Sequence, residues 1–259
     1  MTGLFDLTGK VAVITGSSRG IGRSIAEAMA AAGARVVISS RRQDACDAVA
    51  EDICARHGKG RAIAIAASIS DKSALAGLVE EVERQLGPID ILVCNAASNP
   101  YYGPMAGISD DQFRKIFENN VLANHWLVSM VAPGMADRGG GAIIIISSIG
   151  GMIGSDVIGA YNISKAADFQ LVRNLALEFG KSNVRVNAIA PGVIRTDFAR
   201  ALWEDPKAEA ALNRATPLGR IGEPGEIAGA AIFLASCAGS YVTGQSIVVD
   251  GGATIRGAL

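Results

Sequence analysis

Residues 11–22 read VAVITGSSRGIG, the pattern of a strand that runs through a glycine-rich turn into a helix. Val11–Thr15 has the length and the apolar, β-branched composition of a buried strand. Gly16, Gly20 and Gly22 follow, and glycines there permit a tight bend and a close approach of the backbone to a ligand. The helix that begins here would present free N–H groups and its positive dipole end to a phosphate. A glycine cluster alone also suits a structural turn, but a strand before it and a helix after it favour a phosphate-binding turn.

Apolar runs of strand length alternate with segments of helical periodicity along the rest of the chain. The predicted strands are Val11–Thr15, Arg35–Ser40, Ala62–Ala66, Ile89–Cys94, Ala142–Ser147, Arg185–Ile189 and Ser246–Val249. The predicted helices are Ile21–Ala32, Asp44–His57, Lys72–Leu86, Asp110–Met135, Ala160–Gly180 and Pro224–Ala235. This alternation predicts an α/β fold: a single Rossmann-type doubly wound domain over residues 1–259, whose seven-stranded parallel sheet carries helices on both faces. The irregular stretch 192–222 follows a predicted strand, so we expect it to form a substrate lid.

The composition argues against several kinds of partner. The 259 residues carry 24 basic and 25 acidic side chains, which leaves no basic surplus for nucleic acid or for a membrane surface. Four cysteines without a CxxC pair and only two histidines argue against a metal site. The first residues, MTGLFDLTGK, have neither the basic nor the apolar region of a signal peptide, so we expect a reduced, cytoplasmic protein.

The end of the second predicted strand bears on the choice of nucleotide. An NAD site usually places a carboxylate there to hold the ribose 2′-hydroxyl. This chain has Ser40 followed by Arg41 and Arg42, and Arg19 in the glycine turn adds a third positive charge. Guanidinium groups pair with a 2′-phosphate, so the pattern favours NADP(H), with NAD(H) as the second choice. The two arginines would also suit a solvated helix start, but that explanation does not account for the missing carboxylate.

Three residues form a candidate catalytic group. Ser148 ends the fifth predicted strand, and Tyr161 and Lys165 lie four residues apart on one face of the next helix. A phenol has a pKa of about 10, and an ammonium about 4 Å away would lower that pKa by up to about three units. Tyr161 could then act as a general base toward an alcohol or a general acid toward a carbonyl, with Ser148 orienting the same oxygen. For an isolated YxxxK pair, a buried tyrosine capped by a lysine is the preferred explanation.

The order of these motifs resembles the classical short-chain dehydrogenase/reductase family over essentially the whole chain, including its 3-oxoacyl-carrier-protein-reductase-like and carbonyl-reductase-like members. The matching residues are Thr15–Gly22 (its TGxxxGxG turn), Asn95–Ala97 (NAG), Asn120, Ser148, Tyr161–Lys165 (YxxSK) and Pro191–Gly192 (PG). Ala97 stands where glycine is usual, and Ser68 stands where an aspartate often lies near the adenine. The first departure would narrow the floor near the nicotinamide ribose and the second would weaken one adenine contact, but neither touches the proton chemistry.

The resemblance implies hydride transfer between a nicotinamide cofactor and an alcohol or carbonyl substrate. The catalytic residues would be Asn120, Ser148, Tyr161 and Lys165. Asn120 would position Lys165 and a water chain, unless its amide is satisfied by backbone alone. The cofactor-binding residues would be Gly16, Ser18, Arg19, Gly20, Ile21, Gly22, Ser40, Arg41, Arg42, Ser68, Ile69, Asn95, Ala96, Tyr161, Lys165, Pro191, Gly192, Ile194 and Thr196. Thr196 would equally suit the N-cap of a short lid helix.

The segments that would flank the cofactor are mostly apolar and predict a moderately apolar ketone, aldehyde or alcohol as substrate. These segments are Asn99–Tyr102, Ile149–Ile153, Val157–Ile158 and Phe198–Trp203, although Tyr101, Tyr102 and Trp203 would equally serve as lid packing. The resemblance also implies a homotetramer or homodimer. Its contacts would be the helices Asp110–Met135 and Ala160–Gly180 across a two-fold axis, and the tail Thr243–Leu259. Four apolar residues could lie in the core or in this interface: Phe169, Leu171, Val172 and Leu175.

The sequence thus predicts an NADP(H)-dependent oxidoreductase that interconverts a secondary alcohol and a ketone, or an alcohol and an aldehyde, with Tyr161 as general acid or base. Two alternatives stay open. One is an NAD-dependent alcohol, sterol or sugar dehydrogenase working oxidatively, which would share every motif. The other is a non-catalytic NADP-binding regulatory or scaffold protein. An epimerase or dehydratase is less favoured, because such relatives generally carry longer C-terminal substrate domains.

Overall fold

Seven parallel strands form one sheet in the computed structural model, which describes residues 3–255. The strands are β1 Val11–Thr15, β2 Arg35–Ser39, β3 Ala62–Ala64, β4 Ile91–Cys94, β5 Gly141–Ile146, β6 Val184–Pro191 and β7 Ser246–Val249. Their order in the sheet is β3-β2-β1-β4-β5-β6-β7. The predicted seven-stranded parallel α/β fold is therefore confirmed. The order reverses between β1 and β4, so a ligand crevice is expected where the carboxyl ends of these two strands diverge.

Nine α-helices cover the sheet or lie in the segment 192–222 within the described residues. They are α1 Gly20–Ala31, α2 Gln43–His57, α3 Lys72–Leu86, α4 Asp110–Phe117, α5 Ala123–Asp137, α6 Gly159–Phe179, α7 Arg200–Trp203, α8 Pro206–Ala215 and α9 Pro224–Ala235. Consecutive isoleucines of β5 explain why helices pack on both faces of the sheet, because the side chains of adjacent strand residues point to opposite faces. Ile143 belongs to the buried cluster that also contains residues of α3, α5 and α6, whereas Ile144 belongs to the cluster that contains residues of α1, α2 and α9. Hydrophobic burial on both faces thus holds the helices to the sheet.

The four apolar residues that the sequence could assign either to the core or to a subunit interface lie on the sheet side of α6. Phe169, Val172 and Leu175 are buried in the core, and Leu171 packs against it while partly buried. They therefore support the fold of the single chain. The predicted contact through the tail Thr243–Leu259 lies partly outside the described residues, which end at residue 255. Within the part of the chain that is described, no helix is long and apolar enough to cross a membrane.

The predicted helix Asp110–Met135 is wrong as a continuous α-helix. A π-helical turn at Glu118–Leu122 separates α4 from α5. This turn carries Asn120, whose buried side chain makes three hydrogen bonds to other segments. Such a turn adds a residue to the helical repeat and changes the direction of a side chain, which is why π turns often occur at functional sites.

Two further differences concern local backbone. The helix predicted to end at Gly180 ends at Phe179, because the chain continues into a 3₁₀ turn, and Asn183 takes the positive φ of 58°. Within the predicted lid 192–222, the structure forms the short helices α7 and α8. Asp71 is the N-cap of α3, since it accepts hydrogen bonds from the backbone N–H groups of Ser73 and Ala74.

Candidate active site

The glycine turn leaves the start of α1 open to a ligand. Gly16 and Gly20 have positive φ angles of 66° and 57°, a backbone conformation that favours glycine. Arg19 occupies the N-cap position without a side-chain capping bond, so the first N–H groups of the helix have no side-chain acceptor there. Ser18 and Ile21 are both partly buried in the same turn. Free N–H groups and the positive helix end together suit a phosphate.

Asn95 fastens this turn to the end of β4. Its side-chain Nδ2 donates to the carbonyls of Thr15 and Gly16 at 2.8 and 3.2 Å. The backbone N–H groups of Asn95 and Ala96 in turn donate to the Thr15 hydroxyl at 3.0 and 3.1 Å. A Cβ at Gly22 would lie 2.5 Å from Asn95 Nδ2 and 2.6 Å from the Gly16 carbonyl oxygen. The close approach therefore leaves no room for a side chain at Gly22.

The three arginines proposed for the nucleotide differ in their surroundings. Arg41 is exposed, and no ion-pair partner for it is seen in residues 3–255. Arg42 donates from Nε to Asp44 at 3.0 Å and makes a second bond to the same carboxylate. Arg19 lies 3.5 Å from Asp197 of the lid. Arg41 is thus the guanidinium with the fewest competing partners at the end of β2.

Other predicted cofactor residues lie along the same carboxyl edge of the sheet. Ser40 shares a 3.1 Å contact with Cys46, and the partly buried Ser68 and Ile69 follow β3. Pro191 ends β6, and a Cβ at Gly192 would lie 2.8 Å from the Cα of Asp250.

Ile194 and Thr196, which follow the PG turn, have different surroundings. Ile194 is 5% exposed with its side chain in the core, and its backbone is bridged to Gly222, so only main-chain atoms could face a ligand. The Thr196 hydroxyl accepts from the N–H of Ala199 at 3.3 Å, which is the N-cap alternative considered for it. The Thr196 methyl group also lies beside the turn, since a Cβ at Gly20 would meet it at 3.2 Å.

Ser148, Tyr161 and Lys165 come together at the end of β5. Lys165 is 2% exposed, and its Nζ lies 5.8 Å from the centre of the Tyr161 ring. That Nζ donates to the carbonyl of Ile146 at 2.9 Å and to a carboxylate oxygen of Asp168 at 3.1 Å. Ser148 accepts from the N–H of Gly150 at 3.0 Å. The spacing in sequence therefore places a hydroxyl, a phenol and an ammonium in one cluster.

The electrostatics of Tyr161 differ from the expected balance. Burial raises the pKa of Tyr161, while the Lys165 ammonium and a hydrogen bond with Ser148 lower it and the Asp168 carboxylate raises it again. The net direction is upward. The expectation of a lowered pKa is therefore wrong for the protein alone, because it considered the ammonium without burial and without a neighbouring anion.

Asn120 reaches Lys165 through other side chains. Its Oδ1 accepts from the N–H of Ser98 at 2.8 Å, and its Nδ2 donates to the Ser98 carbonyl and to the Ser164 hydroxyl, both at 3.0 Å. Its own backbone carbonyl accepts from Asn124 Nδ2 at 2.7 Å, and that amide also donates to Asp168 at 3.1 Å. The chain of contacts thus runs from the π turn through Asn124 to the partner of the lysine.

Asn124 and Asp168 were missed by sequence reasoning. The available signal was Asp168 itself, a charged residue three positions after Lys165 on the stripe of α6 that also carries Val172. Asp168 is 0% exposed. Burial raises the pKa of its carboxyl, and Lys165 and Asn124 oppose that rise. Burial lowers the pKa of Lys165, but Asp168 and Tyr161 outweigh this effect and the net direction is upward.

The segments predicted to flank the cofactor carry exposed apolar side chains, and one of them contacts Tyr161. The Phe198 ring lies 6.0 Å from the Tyr161 ring, centre to centre, and Phe198 is 56% exposed. Tyr102, Met152 and Ile153 are also exposed. Tyr101 instead turns back into its own loop, where its hydroxyl donates to the Pro104 carbonyl at 2.8 Å. In the predicted lid segment, Trp203 stacks under the Arg195 guanidinium at 5.0 Å, which supports a packing role.

No cluster of three or more His, Cys, Asp or Glu side chains that would hold a metal ion occurs in the described range. The described atoms therefore offer proton transfer and hydrogen bonding at Tyr161 and Ser148, with fixed charge from Lys165 and Asp168. They also offer an anion site at the start of α1.

Comparisons with known proteins agree on the family. The family model described as enoyl-(acyl carrier protein) reductase matches residues 16–254. The chain is 41% identical over 253 residues to dehydrogenase/reductase SDR family member 4 of Bos taurus, covering 95% of this chain and 88% of that protein. The structure of a 7α-hydroxysteroid dehydrogenase complexed with NADH and 7-oxo glycochenodeoxycholic acid superimposes with a TM-score of 0.92 at 39% identity, over 96% of each chain. A gluconate 5-dehydrogenase from Burkholderia cenocepacia J2315, in complex with NADP and tartrate, superimposes with a TM-score of 0.93 at 32% identity, over 98% of this chain and 99% of that one.

Both nucleotides occur among these structures, so the comparisons leave the choice between them open. The narrower resemblance to 3-oxoacyl-carrier-protein reductases also stays a prediction.

Proposed function

The chain belongs to the short-chain dehydrogenase/reductase family and is an oxidoreductase of the alcohol–ketone class, and we propose that it uses NADP(H) with Tyr161 as the proton donor and acceptor. The observation that carries this proposal is the meeting of Ser148, Tyr161 and Lys165 at the carboxyl edge of the sheet. The glycine turn opens at the same edge, so a bound dinucleotide would reach the three side chains.

The residues present fit a dinucleotide. The open start of α1 suits the pyrophosphate, and the turn around Gly22 is packed too closely for a side chain. Arg41 supports the choice of NADP(H), because it is an exposed guanidinium at the end of β2 with no competing ion pair in the described chain. NAD(H) is the alternative, and the Arg41→Ala variant distinguishes the two.

The chain's own groups supply the proton chemistry, while the bound nicotinamide would supply or take the hydride. Ser148 donates a hydrogen bond to the substrate oxygen and orients it. Tyr161 gives that oxygen a proton during reduction and removes one during oxidation. Lys165 has three N–H donors, of which two bind Ile146 and Asp168, so one is left for the ribose of the cofactor.

The substrate class follows from the apolar rim. Phe198 is exposed beside Tyr161, and Met152 and Ile153 are exposed in the segment between Ser148 and Tyr161, which supports a moderately apolar ketone, aldehyde or alcohol. The relatives act, by their names, on a hydroxysteroid and on gluconate, and the apolar rim favours the first kind of ligand. A sugar acid would need charged or polar partners in place of these side chains.

We further propose that residues 1–259 form one domain with 192–222 as its lid, and that the protein is a cytoplasmic homotetramer or homodimer. Leu177, on the outer side of α6, is 84% exposed, which supports a subunit contact along this helix. The four cysteines are free thiols, as in a reducing compartment.

The test is carbonyl reduction by the wild type and by Tyr161→Phe, followed as NADPH consumption over a panel of apolar ketones and aldehydes. The phenylalanine variant keeps the ring contact with Phe198 but has no proton to give, so we expect kcat/KM to fall by about 10²- to 10⁴-fold. Tyr241→Phe, the same change at a fully exposed tyrosine, should retain the wild-type rate. Unchanged turnover in Tyr161→Phe would refute the catalytic assignment, and absence of turnover in the wild type over both nucleotides would favour the non-catalytic alternative.

A further inference from the structure

A carboxylate that the proposed chemistry does not use is buried beside the catalytic lysine. Asp168 is 0% exposed, and its Oδ2 lies 3.1 Å from Lys165 Nζ. Its other oxygen accepts from Asn124 at 3.1 Å. Buried carboxylates are rare unless they are paired, and breaking such a pair leaves an uncompensated charge. The location of Asp168 therefore makes the charge of the lysine depend on it.

We propose that Asp168 is a positioning residue for the reaction: its carboxylate keeps the Lys165 ammonium protonated and fixed against Ile146, and thereby sets the pH range over which Tyr161 can donate a proton. This inference rests on the proposed function, since it concerns the same site. It adds to that site an anion that is outside the Ser148–Tyr161–Lys165 group.

The geometry gives the carboxylate both parts of this role. The Lys165 ammonium is held from two directions, by the Ile146 carbonyl of β5 and by Asp168 of its own helix. The carboxylate in turn is held by Asn124 of α5, which is joined to the backbone of Asn120 in the π turn. A displacement of the lysine would therefore break its bonds to Ile146 and Asp168, and Asp168 is itself tied to α5 through Asn124.

The titratable groups in and around the cluster lie on two elements. On α6 they are Tyr161, Lys165 and Asp168, and β4 adds Cys94. Burial raises the pKa of the Cys94 thiol to about 12, so it is neutral in the working range. Asn124 from α5 and Ser147 after β5 are uncharged donors. The cluster is therefore electrically neutral while Tyr161 is protonated and carries one negative charge once that proton is lost.

Loss of the Asp168 charge moves proton loss to lower pH, whichever of Tyr161 and Lys165 titrates first. An anion raises the pKa of every neighbouring acid, and Asp168 raises the pKa of both Tyr161 and Lys165. Removing the Asp168 charge makes the first proton leave the Tyr161–Lys165 pair at lower pH. The apparent pKa of this step belongs to the pair and not to either residue. Carbonyl reduction, as proposed, needs both members of the pair protonated: Tyr161 to donate its proton and Lys165 as the ammonium. The alkaline limb of kcat/KM for reduction should therefore move to lower pH.

The experiment compares pH profiles of NADPH-dependent carbonyl reduction for the wild type, Asp168→Asn, Asp168→Glu and Asp90→Asn. Asp168→Asn has nearly the same shape without the charge, and we expect its alkaline limb to move down by about one to three pH units. Asp168→Glu retains the charge and should keep the limb close to that of the wild type. Asp90→Asn removes an aspartate that pairs with Lys10 at the opposite end of the sheet, and it should leave the limb unmoved.

The outcomes separate this inference from the proposed function. An Asp168→Asn enzyme that is slower at every pH but has the wild-type limb would show a purely structural role and overturn the inference. A shift in Asp168→Glu equal to that in Asp168→Asn would do the same, because packing and not charge would then be the cause. If Asp168→Asn does not fold, as judged by thermal unfolding, Asp168→Ser gives an uncharged variant with the same expected shift. Failure of the wild type to reduce any carbonyl would instead refute the proposed function.

Discussion

Arg41 provides the sharpest test of the nucleotide choice, because it differs from its neighbour in having no competing ion pair. Arg42 is bound to Asp44, whereas Arg41 is exposed at the end of β2 with no described partner. Two unit charges about 4 Å apart attract by about 1 kcal/mol at the dielectric of water, and a hydrogen bond to a charged group contributes about 1.5–3 kcal/mol. Arg41→Ala should therefore raise the Kd for NADPH by about ten- to a hundredfold and leave the Kd for NADH nearly unchanged.

The assay is titration of protein fluorescence with NADPH and with NADH at two salt concentrations. A surface contact of this kind weakens as salt rises, so the difference between the nucleotides should shrink at the higher concentration. Arg56→Ala is a matched control, since it removes the same charge from an exposed arginine at the far end of α2, about 20 Å along the helix. Equal changes for both nucleotides in Arg41→Ala, or tighter binding of NADH by the wild type, would refute the reasoning and point to an NAD-dependent enzyme.

Two further predictions concern packing and reactivity. Gly22→Ala would push a methyl group against the Asn95 amide and a backbone carbonyl of the turn, so we expect a loss of about 1–3 kcal/mol in unfolding free energy and weaker NADPH binding. Gly77→Ala, in an open position of α3, should stabilise the protein slightly and serve as its control in thermal melts. Alkylation of the native protein followed by mass spectrometry should label the exposed Cys237 and leave Cys94, whose pKa is raised to about 12 by burial, unmodified; labelling of Cys94 at an equal rate would contradict its burial.

The regular elements could be predicted because each one carries its own local signal. The strands β1 and β7 and the helices α3 and α9 begin and end at the predicted residues. In each case an apolar pattern of one period lies between clear breaks, such as the Asp71 cap before α3. The helices α7 and α8 lack this signal, since they are short and bury no side chain completely. Their structure depends on contacts such as that between Arg195 and Trp203, which the sequence does not reveal.

The π turn was unpredictable for a different reason. The residues around Asn120 have a continuous helical pattern, so local propensity favours one long helix. The turn is stabilised by hydrogen bonds from Asn120 to Ser98 and Ser164, which belong to other segments. Only the assembled fold places these partners within reach. Tertiary hydrogen bonds to a buried amide thus outweigh a preference that exists along a single helix.

The electrostatics of the site likewise depend on tertiary neighbours that the local sequence does not reveal. Ser148, Tyr161 and Lys165 could be found from spacing and from the family resemblance, and from these three alone a lysine should lower the pKa of the tyrosine. Burial strengthens the field of the ammonium but also makes an unpaired ammonium costly, and Asp168 offsets that cost. The same carboxylate opposes the effect of the lysine on Tyr161. In the protein alone the pKa of Tyr161 is therefore raised, and the positive charge of a bound oxidised nicotinamide would act in the opposite direction. An arrangement of this kind keeps the proton in place for carbonyl reduction, and it makes proton loss depend on the state of the cofactor.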